Sequence, residues 1–155
     1  MSHCSIHIRV SEADFDLGAE YAALQTSTGI GAIVAFTGLV RDWPGGSAMT
    51  LEHYPGMTER ALGQIAENAQ ARWPLTGITL IHRVGRLAPG EQIVLVLTAS
   101  AHRKAAYEAN EFIMDYLKTE APFWKQETGA AGTHWVDARE ADTAARQRWE
   151  RGHDS

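Results

Sequence analysis

The sequence predicts a mixed α/β or α+β domain, on three observations. Short alternating or β-branched runs are interspersed with stretches whose apolar residues recur at helical spacing. No internal repeat or domain linker breaks the 155 residues, a length that suits one domain with a real core. The composition, 45% hydrophobic and 21% charged, is globular and excludes the disordered class. The organisation expected is a single domain over residues 1–150 and a frayed tail over 151–155.

Cys4 to Val10 alternates through Ile6, Ile8 and Val10 and predicts a first strand. Ser11 is expected to cap a helix from about Asp14 to Gln25. Gly31 to Val40, rich in Val, Ile, Phe and Thr, predicts a buried strand, and Asp42 to Ser47 reads as a loop. Met49 to Tyr54 alternates again until Pro55-Gly56. From Thr58 to Trp73, Ala61, Leu62, Ile65, Ala66 and Ala69 fall at helical spacing, and Pro74 stops the run. Ile78 to Val84 and Gln92 to Ala99 predict two strands joined through a turn at Leu87 to Gly90. Ser100 is expected to cap a long helix with Ala105, Ala109, Phe112, Ile113, Tyr116 and Leu117 on one face, closed by Pro122. Phe123 to Glu127 and His134 to Asp137 predict short strands around a Gly-rich turn. A last helix is expected to run out near Trp149.

The net charge of −5 argues against a general binder of nucleic acid or anionic membrane. An anionic partner must therefore meet a local basic cluster. The start of the chain has no apolar h-region, and the run from Gly29 to Val40 is too short to span a bilayer, so a soluble cytoplasmic protein is expected. The single cysteine, Cys4, excludes an internal disulfide and a Cys-rich zinc site, and it lacks a basic partner nearby in sequence. Neither phosphate-loop, dinucleotide, zinc-protease nor serine-hydrolase motifs occur. His53, His82 and His134 show no ligand spacing, and core or surface roles are the default for them.

Three segments hold candidate chemistry. Ser100-Ala-His-Arg-Lys104 places three potential cations at a helix start, against the usual preference for acids there. An anion held by the free N–H groups and the Arg103 fork would explain them, and so would side chains that simply point into water. Lys118 and Lys125 flank Pro122-Phe-Trp124 and, with Lys104, are the only lysines beside eleven arginines. Lys118 in a last helical turn complements the helix dipole in any case. Lys125 follows two aromatics, where partly apolar surroundings lower a lysine's pKa and let it exchange protons, which arginine cannot do. Phe36-Thr-Gly-Leu-Val-Arg41 runs from a buried strand into a loop. Gly38 there allows close approach of a ligand or a neighbouring strand.

Taken together, Phe36 to Arg41, Leu51-Glu-His-Tyr-Pro-Gly-Met57, Arg72-Trp-Pro74, Ile81-His-Arg-Val-Gly85, Ser100 to Arg103, Phe112 to Lys118, Ala121-Pro-Phe-Trp-Lys125 and Trp135-Val-Asp-Ala-Arg139 resemble the large, catalytic subunits of molybdopterin synthase, the MoaE family. The resemblance runs in order from about Ile30 to Trp149. It implies an α/β-hammerhead type of α+β fold with an additional antiparallel sheet, and a homodimer within a heterotetramer. It also implies a small ubiquitin-like sulfur carrier as partner, whose Gly-Gly C-terminus enters the site as a thiocarboxylate. Two sulfurs would pass to cyclic pyranopterin monophosphate to form the molybdopterin dithiolene, with no bound metal and no resident cofactor. By position, Lys118 and Lys125 match the catalytic lysines. Arg41, His102, Arg103 and Arg139 match anion-holding groups, and Gln126 and Glu127 follow the second lysine where the family touches substrate. Leu39 and Val40 also match substrate-binding positions; Leu39 stands where many members have a lysine, so only a backbone contact would remain there. A non-catalytic adaptor for a Gly-Gly tail, or a regulator binding a phosphate ligand, are the rival readings. Along a continuous helix His102 and Lys118 would lie about 24 Å apart at about 1.5 Å per residue, so one small substrate cannot touch both within one chain. The pocket is therefore expected to be shared across the dimer.

Overall fold

Two four-stranded sheets divide the strands of the chain. The computed structural model describes residues 4–43, 45–129, 132–136 and 140–153. In chain order the elements are β1 (Ser5–Ser11), α1 (Leu17–Leu24), β2 (Ala32–Leu39), β3 (Gly46–His53), α2 (Met57–Arg72) and β4 (Leu75–Arg83). They continue with β5 (Gly85–Leu87), β6 (Gln92–Ser100), α3 (Arg103–Glu120), β7 (Phe123–Gly129), β8 (Gly132–Val136) and α4 (Glu140–His153). The first sheet has the order β1-β4-β6-β2, with β1 parallel to β4 and the other pairs antiparallel. The second, β5-β3-β7-β8, is antiparallel throughout. A mixed α+β fold with an additional antiparallel sheet is thus what the chain forms.

Burial explains why the central strands read as continuous apolar runs. One face of the first sheet offers Ile78, Leu80, Val94 and Val96 to Leu62, Ile65 and Ala66 of α2 and to Phe112, Ile113 and Leu117 of α3. The other face buries Ile81, Leu95, Leu97 and Ala99 beneath Phe15 and Leu24. With both faces covered, β4 and β6 have no solvent side on which to alternate. Each fully buried Leu or Ile contributes about 1.5–3 kcal/mol. A third cluster of Val40, Met49, Leu51, Val84 and Leu87 joins the two sheets, with Phe123 packed against it.

Buried polar groups fix how the layers meet. Asn110, in the middle of α3, donates from Nδ2 to the carbonyls of Val34 (3.1 Å) and Val96 (2.9 Å), which locks the helix onto β2 and β6. Arg83 donates to the carbonyls of Glu12 and Gln92 and lies 3.9 Å from Asp14, holding the segment after β1 against the start of β6.

Several expected boundaries move. Ser11 does not cap α1: it closes β1, in register with Arg83, and Asp16 caps instead, accepting from the Ala19 N–H at 3.0 Å. Ser100 does not cap α3 either. It ends β6 and its hydroxyl donates to the Pro74 carbonyl at 2.9 Å, while extended His102 precedes the helix with no side-chain cap. In both cases sheet pairing outcompeted a local cap. The Asp42 to Ser47 loop is shorter than expected because β3 already starts at Gly46, and α4 continues past Trp149 to His153. The segment between β4 and β6 adds the short strand β5 before its turn, where Gly90 takes φ +92°. Gly38 makes room for the neighbouring strand: a Cβ there would meet the Val94 side chain at 2.6 Å. Among the described residues no helix is long and apolar enough to cross a membrane.

Candidate active site

The corner between α3 and β7 sets the site. Pro122 disfavours helical backbone at the residue before it, so Ala121 turns extended (φ −75°, ψ 133°) and α3 stops at Glu120. Lys118 is left exposed in the last turn. The Phe123 N–H donates back to the Ala121 carbonyl at 2.9 Å, and β7 departs along β3 with Phe123 opposite His53 and Lys125 opposite Leu51. Phe123 and Lys125, two residues apart on a strand, point to the same side. That side packs against the third apolar cluster, so Lys125 is half-buried, as its aromatic context implied.

Two buried groups grip this corner. Thr58, fully buried at 0% exposure in the first turn of α2, donates its hydroxyl to the Pro122 carbonyl (3.2 Å) and accepts from the Tyr54 N–H (3.1 Å). His82, 6% exposed at the end of β4, stacks on Phe123 with ring centroids 3.9 Å apart and planes 23° apart. Burial pulls the His82 imidazole down from 6.5 to about 4; its hydrogen bond to the Arg83 carbonyl (2.8 Å) opposes this, and the charges of Lys118 and His53 add to it. His82 is therefore neutral at pH 7, with Nδ1–H donating to Arg83 O and Nε2 left as the acceptor nitrogen. Lys118, His53 and His82 lie within electrostatic reach of one another, and Phe123 links them to Lys125.

The strand end carrying Arg41 reaches the same region. Val40 is buried (4%) in the cluster that Phe123 packs against, and its backbone is pinned by Glu91 O and the Gly90 N–H, each at 2.8 Å. Leu39 and Arg41, on either side of it, are exposed. Gln126 and Glu127 take register positions opposite Thr50 and Met49. Arg139 lies outside the described residues. An open hollow of about 460 Å³ borders Leu51 and His53, but Glu12 and Glu52 on its wall ill suit a phosphate or carboxylate.

His102, Arg103 and Lys104 are not brought to this corner. They are exposed at the opposite end of α3, which runs unbroken for 18 residues, so the separation of about 24 Å at about 1.5 Å per residue stands. Burial pushes the Cys4 thiol up, away from the thiolate that a sulfur-transfer nucleophile requires. The reading of the residues missed Thr58 and treated His82 as an ordinary histidine. Thr58 was visible only as the polar member of an apolar helical stripe, and nothing in sequence joins it to Pro122.

Fold and site together define an α+β protein that offers a lysine pair on a braced corner, with further cations at the far end of one helix. The model of the MoaE protein family matches residues 10–120. The molybdopterin synthase catalytic subunit of Pseudomonas aeruginosa is 58% identical over 147 residues, covering 92% of this chain and 98% of that one. Among solved structures, the MoaE protein of Burkholderia ambifaria superposes with a TM-score of 0.82 at 54% identity, covering 94% of this chain and 98% of that one. Molybdopterin synthase from Staphylococcus aureus gives a TM-score of 0.77 at 31% identity, covering 83% and 95%. The chain belongs to the MoaE family.

Proposed function

We propose that this chain is the catalytic subunit of a molybdopterin synthase and acts in the cytoplasm as a sulfurtransferase. It takes sulfur from the C-terminal thiocarboxylate of a small ubiquitin-like carrier and passes it to cyclic pyranopterin monophosphate. Two transfers give the dithiolene. The observation that carries the reading is the braced corner between the two lysines in sequence, where Thr58 holds Pro122 and the buried His82 stacks on Phe123. Lys118, exposed and at the end of α3, and Arg41 hold anionic oxygen of the carrier tail or substrate. Lys125, half-buried beside apolar side chains, handles the proton: sulfur attacks a pyranopterin carbon, the C–S bond forms, the C–O bond breaks, and the departing oxygen takes a proton from the ammonium. Water then cleaves the remaining acyl–sulfur bond, and the carrier leaves as its carboxylate.

The pterin is substrate and the chain itself supplies no metal. A sulfur donor outside the chain fits a protein whose one cysteine has a raised thiol pKa. Two large subunits form the central dimer, and His102 and Arg103 of one face Lys118 and Lys125 of the other, because a single chain keeps them at opposite ends of α3. Incubation with thiocarboxylated carrier and cyclic pyranopterin monophosphate, scored for dithiolene, tests the reading. Carrier binding without any product would leave a non-catalytic adaptor in its place.

A further inference from the structure

We infer that Thr58 and His82 are positioning residues that set the relation between Lys118 and Lys125. The inference rests on the lysine pair being the working site, but its geometry stands apart from the identity of the substrate. Only six residues separate the two lysines, and the chain reverses from helix to strand between them. The orientation of Lys125 relative to Lys118 is therefore decided at Pro122 and Phe123.

Each of those two residues is gripped from a different element. The Thr58 hydroxyl spends its one proton on the Pro122 carbonyl and takes the Tyr54 N–H on its oxygen, tying the β3–α2 junction to the α3–β7 corner. A valine would fill the same space and lose both bonds. The His82 ring lies face on to Phe123, and its Nδ1 contact with Arg83 O fixes the ring plane. Arg83 is in turn held by the Glu12 and Gln92 carbonyls, so the stack rests on the central sheet rather than on a loop. Neither Thr58 nor His82 needs to touch substrate: one anchors the corner's backbone and the other its aromatic ring. Both act on the direction in which β7 leaves.

The chain has three lysines, so amine acylation resolved by mass spectrometry reads each one, with Lys104 at the far end of α3 as internal control. In Thr58→Val and His82→Leu, Lys118 and Lys125 should change acylation rate about threefold or more while Lys104 keeps its rate. Thr58→Ser should restore the wild-type pattern. In the synthase assay kcat should fall about 10–100-fold at unchanged carrier affinity, as expected when reacting groups are misplaced by about 1 Å. Wild-type acylation rates at both lysines in both variants would overturn the inference, as would a shift shared equally by Lys104. Should Thr58→Val fail to fold, His82→Leu decides alone. If acylation shifts as expected but the wild-type protein makes no dithiolene, the positioning role stands and the synthase reading fails.

Discussion

The two ends of α3 carry similar charges in dissimilar surroundings. At the N-terminal end His102, Arg103 and Lys104 are exposed, no side chain caps the helix, and cations sit where the helix dipole disfavours them. At the C-terminal end Lys118 is favoured by the dipole, and its neighbourhood is tied down from several elements. Asp115 accepts from the Trp149 indole at 2.6 Å and lies 3.6 Å from Arg148, and Glu120 pairs with Arg146. Thr58 and His82 hold the corner beyond it. Trp149 also packs edge-on against Trp73 and Phe112, while the Arg72 guanidinium lies over all three rings. One end is thus a braced half-site and the other an open cluster of cations. Under the proposed function, a symmetric dimer would let the open end of one copy complete the braced end of the other.

The largest expected effect falls on the braced end. Lys125→Ala should lose product formation by about 10²–10⁴-fold, the usual contribution of a proton-transferring group, while carrier binding measured by calorimetry is retained. Turnover near wild type would remove Lys125 from the chemistry. The comparison of the two ends is tested next with heterodimers of Arg103→Ala and Lys118→Ala subunits. Each homodimer should be impaired, and the verified heterodimer, with one intact site and one doubly altered, should recover about half of wild-type activity. No recovery would mean that each chain completes its own site.

Stability gives a smaller signal at the His82 brace. The folded protein holds this imidazole near pKa 4, against 6.5 for the free side chain. Above about pH 6.5 both states are neutral there and His82 adds no pH dependence. As pH falls from 6.5 to about 4 the unfolded chain takes up the proton and the folded one does not, so stability declines by about 3 kcal/mol in total. Urea melts of wild type and His82→Leu between pH 7 and 4 should differ by that slope; parallel curves would deny the buried neutral ring.

On α4, Trp149→Ala should cost about 3 kcal/mol, because a large aromatic leaves its packing and its bond to Asp115. Arg148→Ala should cost about 0.5 kcal/mol, less at high salt, because Arg148 and Glu111 are half-exposed and its contact with the more buried Asp115 is long at 3.6 Å. Equal losses in the two variants would mean that charge, not packing, pins α4 to the lysine end of α3.

Much of the fold is legible because strong periodicities survive in it. The stripe of Leu62, Ile65, Ala66 and Ala69 packs as α2, and the long apolar face ending in Leu117 packs as α3. The alternation of Met49 and Leu51 places both in the cluster joining the sheets. Caps were misread where a serine had two possible partners. Ser11 and Ser100 both precede helices, but each is consumed by a strand paired with residues distant in sequence, Ser11 with Arg83 and Ser100 with Ala32 and Leu75. Asn110, a polar residue in mid-helix, bonds the backbones of two strands, a role that no local pattern signals.

The sequence by itself determined the chemistry on offer: three lysines, one cysteine, cations at both ends of one helix, and a proline between the two lysines that must end that helix. Those properties are local, since residue type and spacing fix charge, proton exchange and helix length. The tertiary structure alone decided which residues govern that chemistry. Thr58 meets Pro122 across 64 positions and His82 meets Phe123 across sheets, because the packing of the layers brings them together and a buried hydroxyl needs a hydrogen-bond partner. Such contacts depend on how layers pack, and no periodicity of a single chain encodes them.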